Sequence, residues 1–273
     1  MLKEHKVNHT KGLVIGRGKI HPTAIVADTV ELGQSVVIGA YSIIEGHVTI
    51  GDNTHIGNHV HIKGPTTIGK DNVISSFSSI GCDPQDKKYH SEESYLKIGD
   101  ANSIREYVTI SRGTEHGGLI TNIGSYNLFM AYAHIAHDCF IGDSNILANG
   151  ASLAGHVHIG NFVGMGGFSG VHQFTKIGSY AFCGGGSIIT KDVPPYTLVS
   201  GHPAKLIGLN LEGLKRHGFN EEERLILKEI YKKLFRESTN IIEDAVLYAK
   251  ENTSPLIQLL LQFIMSSQRG ITR

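Results

Sequence analysis

"IGAYSIIEGHVTIGDNTHIG", residues 38–57, sets an isoleucine at positions 38, 44, 50 and 56, and three of these four are followed at once by glycine. A six-residue beat fits no ordinary element. An α-helix of 3.6 residues per turn scatters every sixth residue around its surface, and a half-buried strand repeats every second residue. Outward from this stretch the same beat holds at Val14, Ile20, Val26 and Leu32 on one side and at Ile62, Ile68, Ile74 and Ile80 on the other. It resumes at Ile98, Ile104 and Ile110, and again from Ile123 through Phe129, Ile135, Ile141, Leu147, Leu153, Ile159, Met165, Val171, Ile177 and Cys183 to Ile189. The pattern that satisfies it is a parallel β-helix in which three hexapeptides close one triangular coil and each aliphatic residue points inward. About nine coils, each rising ~4.8 Å, make a prism ~43 Å long.

The ladder breaks twice, after Ile80 and after Ile110. Both breaks follow the third member of a coil, so insertions near 82–97 and 112–122 leave from one corner. The β-helix is expected to fill residues 1–197, with "KDVPPYTLVSGHPAK" as a turn-rich exit. Residues 198–273 read as a smaller α-helical domain: Asn220 and Glu223 resemble a capping pair, Leu227, Ile230 and Leu234 follow at helical spacing, and Thr239 and Ser254-Pro255 open two more helices.

The remaining features narrow the function by exclusion. A formal charge of zero gives no sign of a nucleic-acid partner. Cys82, Cys139 and Cys183 show no paired spacing, which argues against disulfides and favours a reducing compartment; Cys139 and Cys183 fall at packing positions of their hexapeptides. The N-terminus has no apolar signal region and "PLIQLLLQFIM" is too short to span a bilayer, so the expectation is a cytoplasmic chain without membrane insertion.

Most of the 16 histidines, among them His55, His59 and His61, read as solvated wall residues. His137 differs. The offset two residues after the inward position of its hexapeptide gives, coil by coil, the column Arg112, His137, Gly155, Gln173 and Lys191, with His134, His156 and His172 close to it. All lie beside the corner from which the insertions leave, and the first insertion, "GCDPQDKKYHSEESYLK", is expected to bring Asp86, Lys87 or Lys88 over them. A zinc site of the kind some β-helix trimers carry uses an H-x4-H pair; no two histidines stand five apart, so no metal is expected.

The loop "PQDKKY", the stretches "AHIAHDC", "LAGHV" and "VHQF", and the segment "NLEGLKRHGF" resemble the UDP-N-acetylglucosamine acyltransferase family, over nearly the whole chain. Departures are an N-terminal extension with the hexapeptide at Val14, Lys87 inside the loop motif, Pro203 where some members carry His, and His217 where many carry Arg. The resemblance implies a left-handed β-helix, a homotrimer with its site between subunits, no cofactor, and transfer of a 3-hydroxyacyl group from acyl carrier protein to the 3-OH of UDP-N-acetylglucosamine, the first step of lipid A biosynthesis. A sugar hydroxyl needs a base to attack a thioester, which suits His137, with Asp138 orienting the ring and the Gly155 N–H receiving the oxyanion; the family assigns His137 and Gly155 those roles.

The resemblance further implies that Asp86 and Lys88 meet the sugar and acyl portions, that His134, His156, His172 and Gln173 meet the glucosamine and diphosphate region, and that Asn210, Glu212 and Arg216 meet the nucleotide or pantetheine. Gly185 would be the end stop of the acyl groove. Residues 215–236 carry seven Lys or Arg against four acids, a net of +3 that suits an acidic carrier protein. Alternatives are acylation of the 3-amino analogue, the related lipid A N-acyltransferase, disfavoured because repeats starting by Val14 leave no room for an extra N-terminal domain, and a non-catalytic or metal-binding β-helix trimer.

Overall fold

The computed structural model describes residues 19–273; the hexapeptide at Val14 and the N-terminal extension lie outside the described residues. The six-residue beat appears as short parallel strands, many only two residues long, stacked into three sheets of eleven, nine and eight strands. On the first face Ile38 pairs with Ile56 and Ile56 with Ile74; on the second Ile44 pairs with Ile62 and Ile62 with Ile80; on the third Ile50 pairs with Ile68 and Ile68 with Ile98. From Ile38 to Ile189 every ladder residue is buried in one continuous core. Burying each such side chain stabilises the prism by roughly 1.5–3 kcal/mol, and the parallel ladder satisfies the backbone between coils.

The ladder outlasts its expected end at Ile189. Val193 bridges Ile177 in parallel, and the strand Thr197–Gly201 pairs with Phe182–Cys183, setting Val199 opposite Cys183. Both valines are fully buried. The short step from Ile189 to Val193, ahead of Pro194 and Pro195, broke the period without breaking the stack. Ten parallel strands therefore stand on the first face, and Ala204–Leu209 folds back antiparallel to close it. The boundary expected after residue 197 thus falls at the first residue of a strand, and helices begin only at Leu211.

Each coil turns its corners through residues with positive φ. At the corner between first and second faces these are largely aromatic, and Tyr41, His59, Phe77, Tyr107 and Tyr132 stack at centroid distances of 5.2, 5.1, 5.1 and 4.8 Å, the spacing that the strand ladder imposes. The corner between second and third faces carries both insertions, between Cys82 and Tyr95 and between Ser111 and Ile120. The corner between third and first faces holds Phe162, Tyr180 and Tyr196, and against it the helical domain docks.

Four helices follow: α1 (Leu211–Arg216), α2 (Glu221–Lys232), α3 (Ile241–Glu251) and α4 (Pro255–Met265). Asn220 and Glu223 form the expected capping box on α2 and Pro255 sits in the first turn of α4, whereas α3 is capped by Asn240 in place of Thr239. Their apolar faces bury Leu214, Leu227, Ile230, Leu260, Leu261 and Ile264 around Tyr196. The C-terminal residues return to the prism, where Thr272 N donates to Asp192 O (2.8 Å) and Ser267 Oγ to Asp192 Oδ2 (2.7 Å). No helix among the described residues is long and apolar enough to cross a membrane.

Candidate functional site

His137 stands at the corner between second and third faces, two residues past the inward Ile135, and its ring packs against the next coil at Gly155. A Cβ on Gly155 would lie 2.5 Å from His137 Cε1, so only glycine lets the imidazole occupy this place. The Gly155 N–H has no acceptor among the described residues. It is therefore a donor in place for a negative oxygen beside the ring.

Asp138 follows at positive φ, and the left-handed turn folds its side chain back under the imidazole, with 2.8 Å between His137 Nδ1 and Asp138 Oδ2. The carboxylate is sealed: its side chain is 0% exposed while that of His137 is 13% exposed, so Asp138 can act on a ligand only through His137. Burial pushes the Asp138 carboxyl up, but hydrogen bonds from His137 and Thr114 outweigh it and hold the group below its usual value. An ionised carboxylate only accepts, so Nδ1 is the ring nitrogen that donates to Asp138 and Nε2 is the one left for a ligand.

The first insertion closes the outer side. Asp86 Oδ2 lies 3.9 Å from His137 Nε2, and the Lys88 N–H, bound to Asp86 Oδ1 at 3.0 Å, holds this carboxyl below its ordinary range. Lys87 and Lys88 point to solvent. The loop is pinned from beneath by Arg112, which is buried and donates to Gly81 O, Asp83 and Tyr89, while Lys63 takes the other oxygen of Asp83 at 2.8 Å. Arg112, expected as a member of the histidine column, serves as the clasp of the insertion.

Two further histidines complete the cluster. His156, one coil on, sits edge-on to His137 at 5.1 Å, stacks on Phe174 at 4.3 Å and brings Nδ1 to 3.8 Å from Asp138 Oδ2. His134 lies on the second face beside the corner, 2.7 Å from Thr109 Oγ1. Burial pushes both imidazoles down, so both are neutral near pH 7. His137, Asp138 and His156 are close enough to share a cation. Asp138 Oδ2, however, already accepts from His137 Nδ1 and from Thr114 Oγ1, so a cation would have to displace bonds that orient the ring; the arrangement suits proton transfer.

Other expected residues stand elsewhere. His172 and Gln173 are exposed on the coil after His156. Asn210 caps α1 and donates to Tyr180 O (2.9 Å), which places it with Glu212 and Arg216 at the corner between third and first faces. Gly185 lies at the corner between first and second faces. His172 and Gln173 share the corner of His137, but a single chain does not bring Asn210, Glu212, Arg216 or Gly185 to it, because the packed interior separates the three corners. Thr114, Gly117, Thr121 and Phe174, which contact the cluster, went unnoticed in the sequence; the first three lie in or at the edge of an insertion where no periodicity points at them.

Family models match in two places: residues 192–272 match Udp N-acetylglucosamine O-acyltransferase, domain 2, and residues 47–82 match the bacterial transferase hexapeptide (six repeats). The chain is 51% identical over 259 residues to the acyl-(acyl-carrier-protein)--UDP-N-acetylglucosamine O-acyltransferase of Herminiimonas arsenicoxydans, covering 93% of this chain and 99% of that one. It is 50% identical over 255 residues to the enzyme of the same name from Thiobacillus denitrificans, with the same coverage. Among solved structures, UDP-N-acetylglucosamine O-acyltransferase from Moraxella catarrhalis superposes with a TM-score of 0.89 at 45% identity, over 93% of this chain and 99% of that one.

Proposed function

The chain belongs to the acyl-(acyl-carrier-protein)--UDP-N-acetylglucosamine O-acyltransferase family, and from that premise we infer that it transfers a 3-hydroxyacyl group from acyl carrier protein to the 3-OH of UDP-N-acetylglucosamine, the first step of lipid A biosynthesis. The observation that carries the mechanism is the His137 corner: a ring oriented by a sealed carboxylate, beside an unengaged Gly155 N–H.

The steps follow from that geometry. His137 Nε2 takes the proton of the sugar 3-hydroxyl as its oxygen attacks the thioester carbonyl, and Asp138 stabilises the imidazolium that forms. The carbonyl oxygen gains the negative charge and accepts from the Gly155 N–H, a donor needing no reorganisation at the moment of reaction. As the intermediate collapses the C–S bond breaks, and the departing pantetheine sulfur takes the proton from His137. No side chain is acylated. Cys139, which faces the interior, is pushed up to about 12 by burial and is no nucleophile.

Asp86, His134, His156, His172 and Gln173 are assigned to the sugar nucleotide and acyl portions around this corner, with Lys88 beside them. Asn210, Glu212 and Arg216 are assigned to the nucleotide or pantetheine, the side chain of Asn210 acting chiefly as the cap that sets α1. Their place at a different corner supports a homotrimer in which the His137 corner of one subunit meets α1 of the next. Lys215, Arg216 and Lys228 are exposed on α1 and α2 and suit an acidic carrier protein. A cytoplasmic location suits soluble substrates of this kind.

The test is incubation with UDP-N-acetylglucosamine and 3-hydroxyacyl carrier protein. The expected product is the 3-O-acyl sugar nucleotide; turnover only with the 3-amino analogue, giving an amide, would reassign the acceptor.

A further inference from the structure

The second insertion folds over Asp138 more closely than a loop that merely spans a gap requires. Thr114 contacts the carboxylate twice: its N–H donates to Oδ1 at 2.8 Å and its hydroxyl to Oδ2 at 2.6 Å, both buried. Thr121, where the insertion rejoins the prism, accepts from the Asp138 N–H at 2.8 Å. Between them the single turn Glu115–Gly117 lays Gly117 flat on the carboxyl group, so that a Cβ there would fall 1.9 Å from Asp138 Cγ. Gly117 has no positive φ, and its backbone would accept any residue. Glycine is required there by the carboxylate.

Resting on the acyl-transfer reading above, we propose that Thr114 is a positioning residue for the reaction, and that the 112–122 insertion, with Gly117 as its contact point, fixes Asp138 so that His137 presents Nε2 to the sugar hydroxyl. The chemistry explains why two donors are used. A buried carboxylate that accepts from His137 alone would rotate about its χ angles and pull the ring with it. Thr114 binds both oxygens and leaves one lone pair of Oδ2 aimed at Nδ1. Its donors also stabilise the anion, which weakens the hold of Asp138 on a proton arriving at the pair. The other titratable groups facing His137 are Asp86 on the first insertion, His156 on the next coil and His134 on the second face, and none of them is hydrogen-bonded to Thr114.

The experiment compares wild type, Thr114→Ser, Thr114→Val and Gly117→Ala in the acyl-carrier-protein assay across pH, with thermal melts of each. Thr114→Val keeps shape and the backbone N–H but loses the hydroxyl; it is expected to lower kcat about tenfold, as one charge-assisted hydrogen bond warrants, with KM little changed. Its acid limb of kcat/KM should move to higher pH, because an anion with fewer donors binds the shared proton more tightly. Thr114→Ser should restore both. Gly117→Ala, whose methyl displaces the carboxylate, should lower kcat on the order of a hundredfold.

Normal kcat and an unmoved acid limb in Thr114→Val would overturn the proposal, as would equal losses in Thr114→Val and Thr114→Ser, which would mark the loop as structural. If wild type fails to acylate UDP-N-acetylglucosamine at all, the functional reading fails first and this inference falls with it.

Discussion

His59 and His156 hold the same place in the repeat: each follows an inward aliphatic residue by three positions, adopts positive φ and stacks on an aromatic ring of the next coil. His59 sits in a file of rings between Tyr41 and Phe77, exposed, at a corner where coil follows coil without interruption. His156 sits at the corner crossed by both insertions, half-buried between Phe174 and His137 and 3.8 Å from a sealed carboxylate. The repeat supplies the same backbone and the same stacking to both. What makes one corner chemical is the chain added to it: Thr114 and Gly117 over Asp138, Asp86 over His137. A β-helix builds positions, and its interruptions build environments.

The widest gap between the corners should appear in turnover. His137→Ala is expected to lower kcat/KM by on the order of 10²–10⁴, the range for loss of a general base. His59→Ala should leave it within about twofold and weaken stability only by the ~0.5–1.5 kcal/mol of a stacking contact. Steady-state kinetics on the two purified variants decides the matter. A comparable loss of activity from both would mean that corner chemistry is not confined to the insertions.

The next contrast lies within the catalytic corner. Gly155→Ala adds a methyl 2.5 Å from His137 Cε1 at a position with no positive φ, so the ring must move while the backbone need not. Displacing a base by about an ångström costs on the order of a hundredfold in kcat. The melting temperature should barely change. If kcat holds and the melt collapses, Gly155 matters to the coil and not to the ring.

The two corners also explain which parts of this molecule could be read from sequence. The six-residue beat is a direct image of burial, so inward residues from Ile20 to Ile189 and the exit corner of both insertions were legible. Val193 and Val199 were not, because the four-residue step from Ile189 to Val193 shifts the beat while the strand pairing persists. His137, Asp138 and His156 could be gathered by counting coils, since a fixed offset means a fixed corner, and Asp86 only as one of three residues of a loop leaving that corner. Thr114 and Gly117 could not: inside an insertion, sequence distance carries no information about which carboxylate a turn will cover. Arg112 shows the opposite error. Its offset placed it in the histidine column, and Asp83 and Tyr89 of the first insertion claimed it.

Gly185 gives a third, smaller contrast, at the corner that His59 shares. Its neighbour Gly186 makes the left-handed corner turn, at a φ of +66°, that Tyr41 and His59 make in other coils, whereas Gly185 has no positive φ, is exposed, and would meet nothing nearer than Gly167 O at 3.4 Å if it gained a Cβ. The corner does not demand its glycine, which supports an acyl groove left open there by a neighbouring subunit's substrate. Wild type should then prefer a 3-hydroxymyristoyl or 3-hydroxylauroyl donor to a 3-hydroxydecanoyl one, and Gly185→Met should reverse the order. Each buried methylene is worth about 0.8 kcal/mol, close to fourfold in kcat/KM. Competition between donors of different length reads the ratio directly, and an unchanged ratio in the Met variant removes Gly185 from the groove.

The smallest effect concerns proton binding by the buried imidazoles. His134 and His156 are held below the usual histidine value by burial, His134 further by His137 nearby, while His156 is partly pulled back by Asp138. For such groups the unfolded chain binds protons at higher pH than the folded one. Their contribution to stability is therefore whole above about pH 6.5 and is lost as pH falls from there toward their lowered folded values. Asp138 acts lower on the scale: its depressed carboxyl favours folding above its ordinary value of 3.8, and that part is lost only as pH drops through its still lower folded value. The melting temperature should consequently begin to slope downward as pH falls below about 6.5, before the carboxylates protonate. His134→Gln, which keeps a polar partner for Thr109 but cannot titrate, should flatten that slope. Equal slopes in wild type and His134→Gln would show that burial at the insertion corner does not hold down the proton affinity of His134.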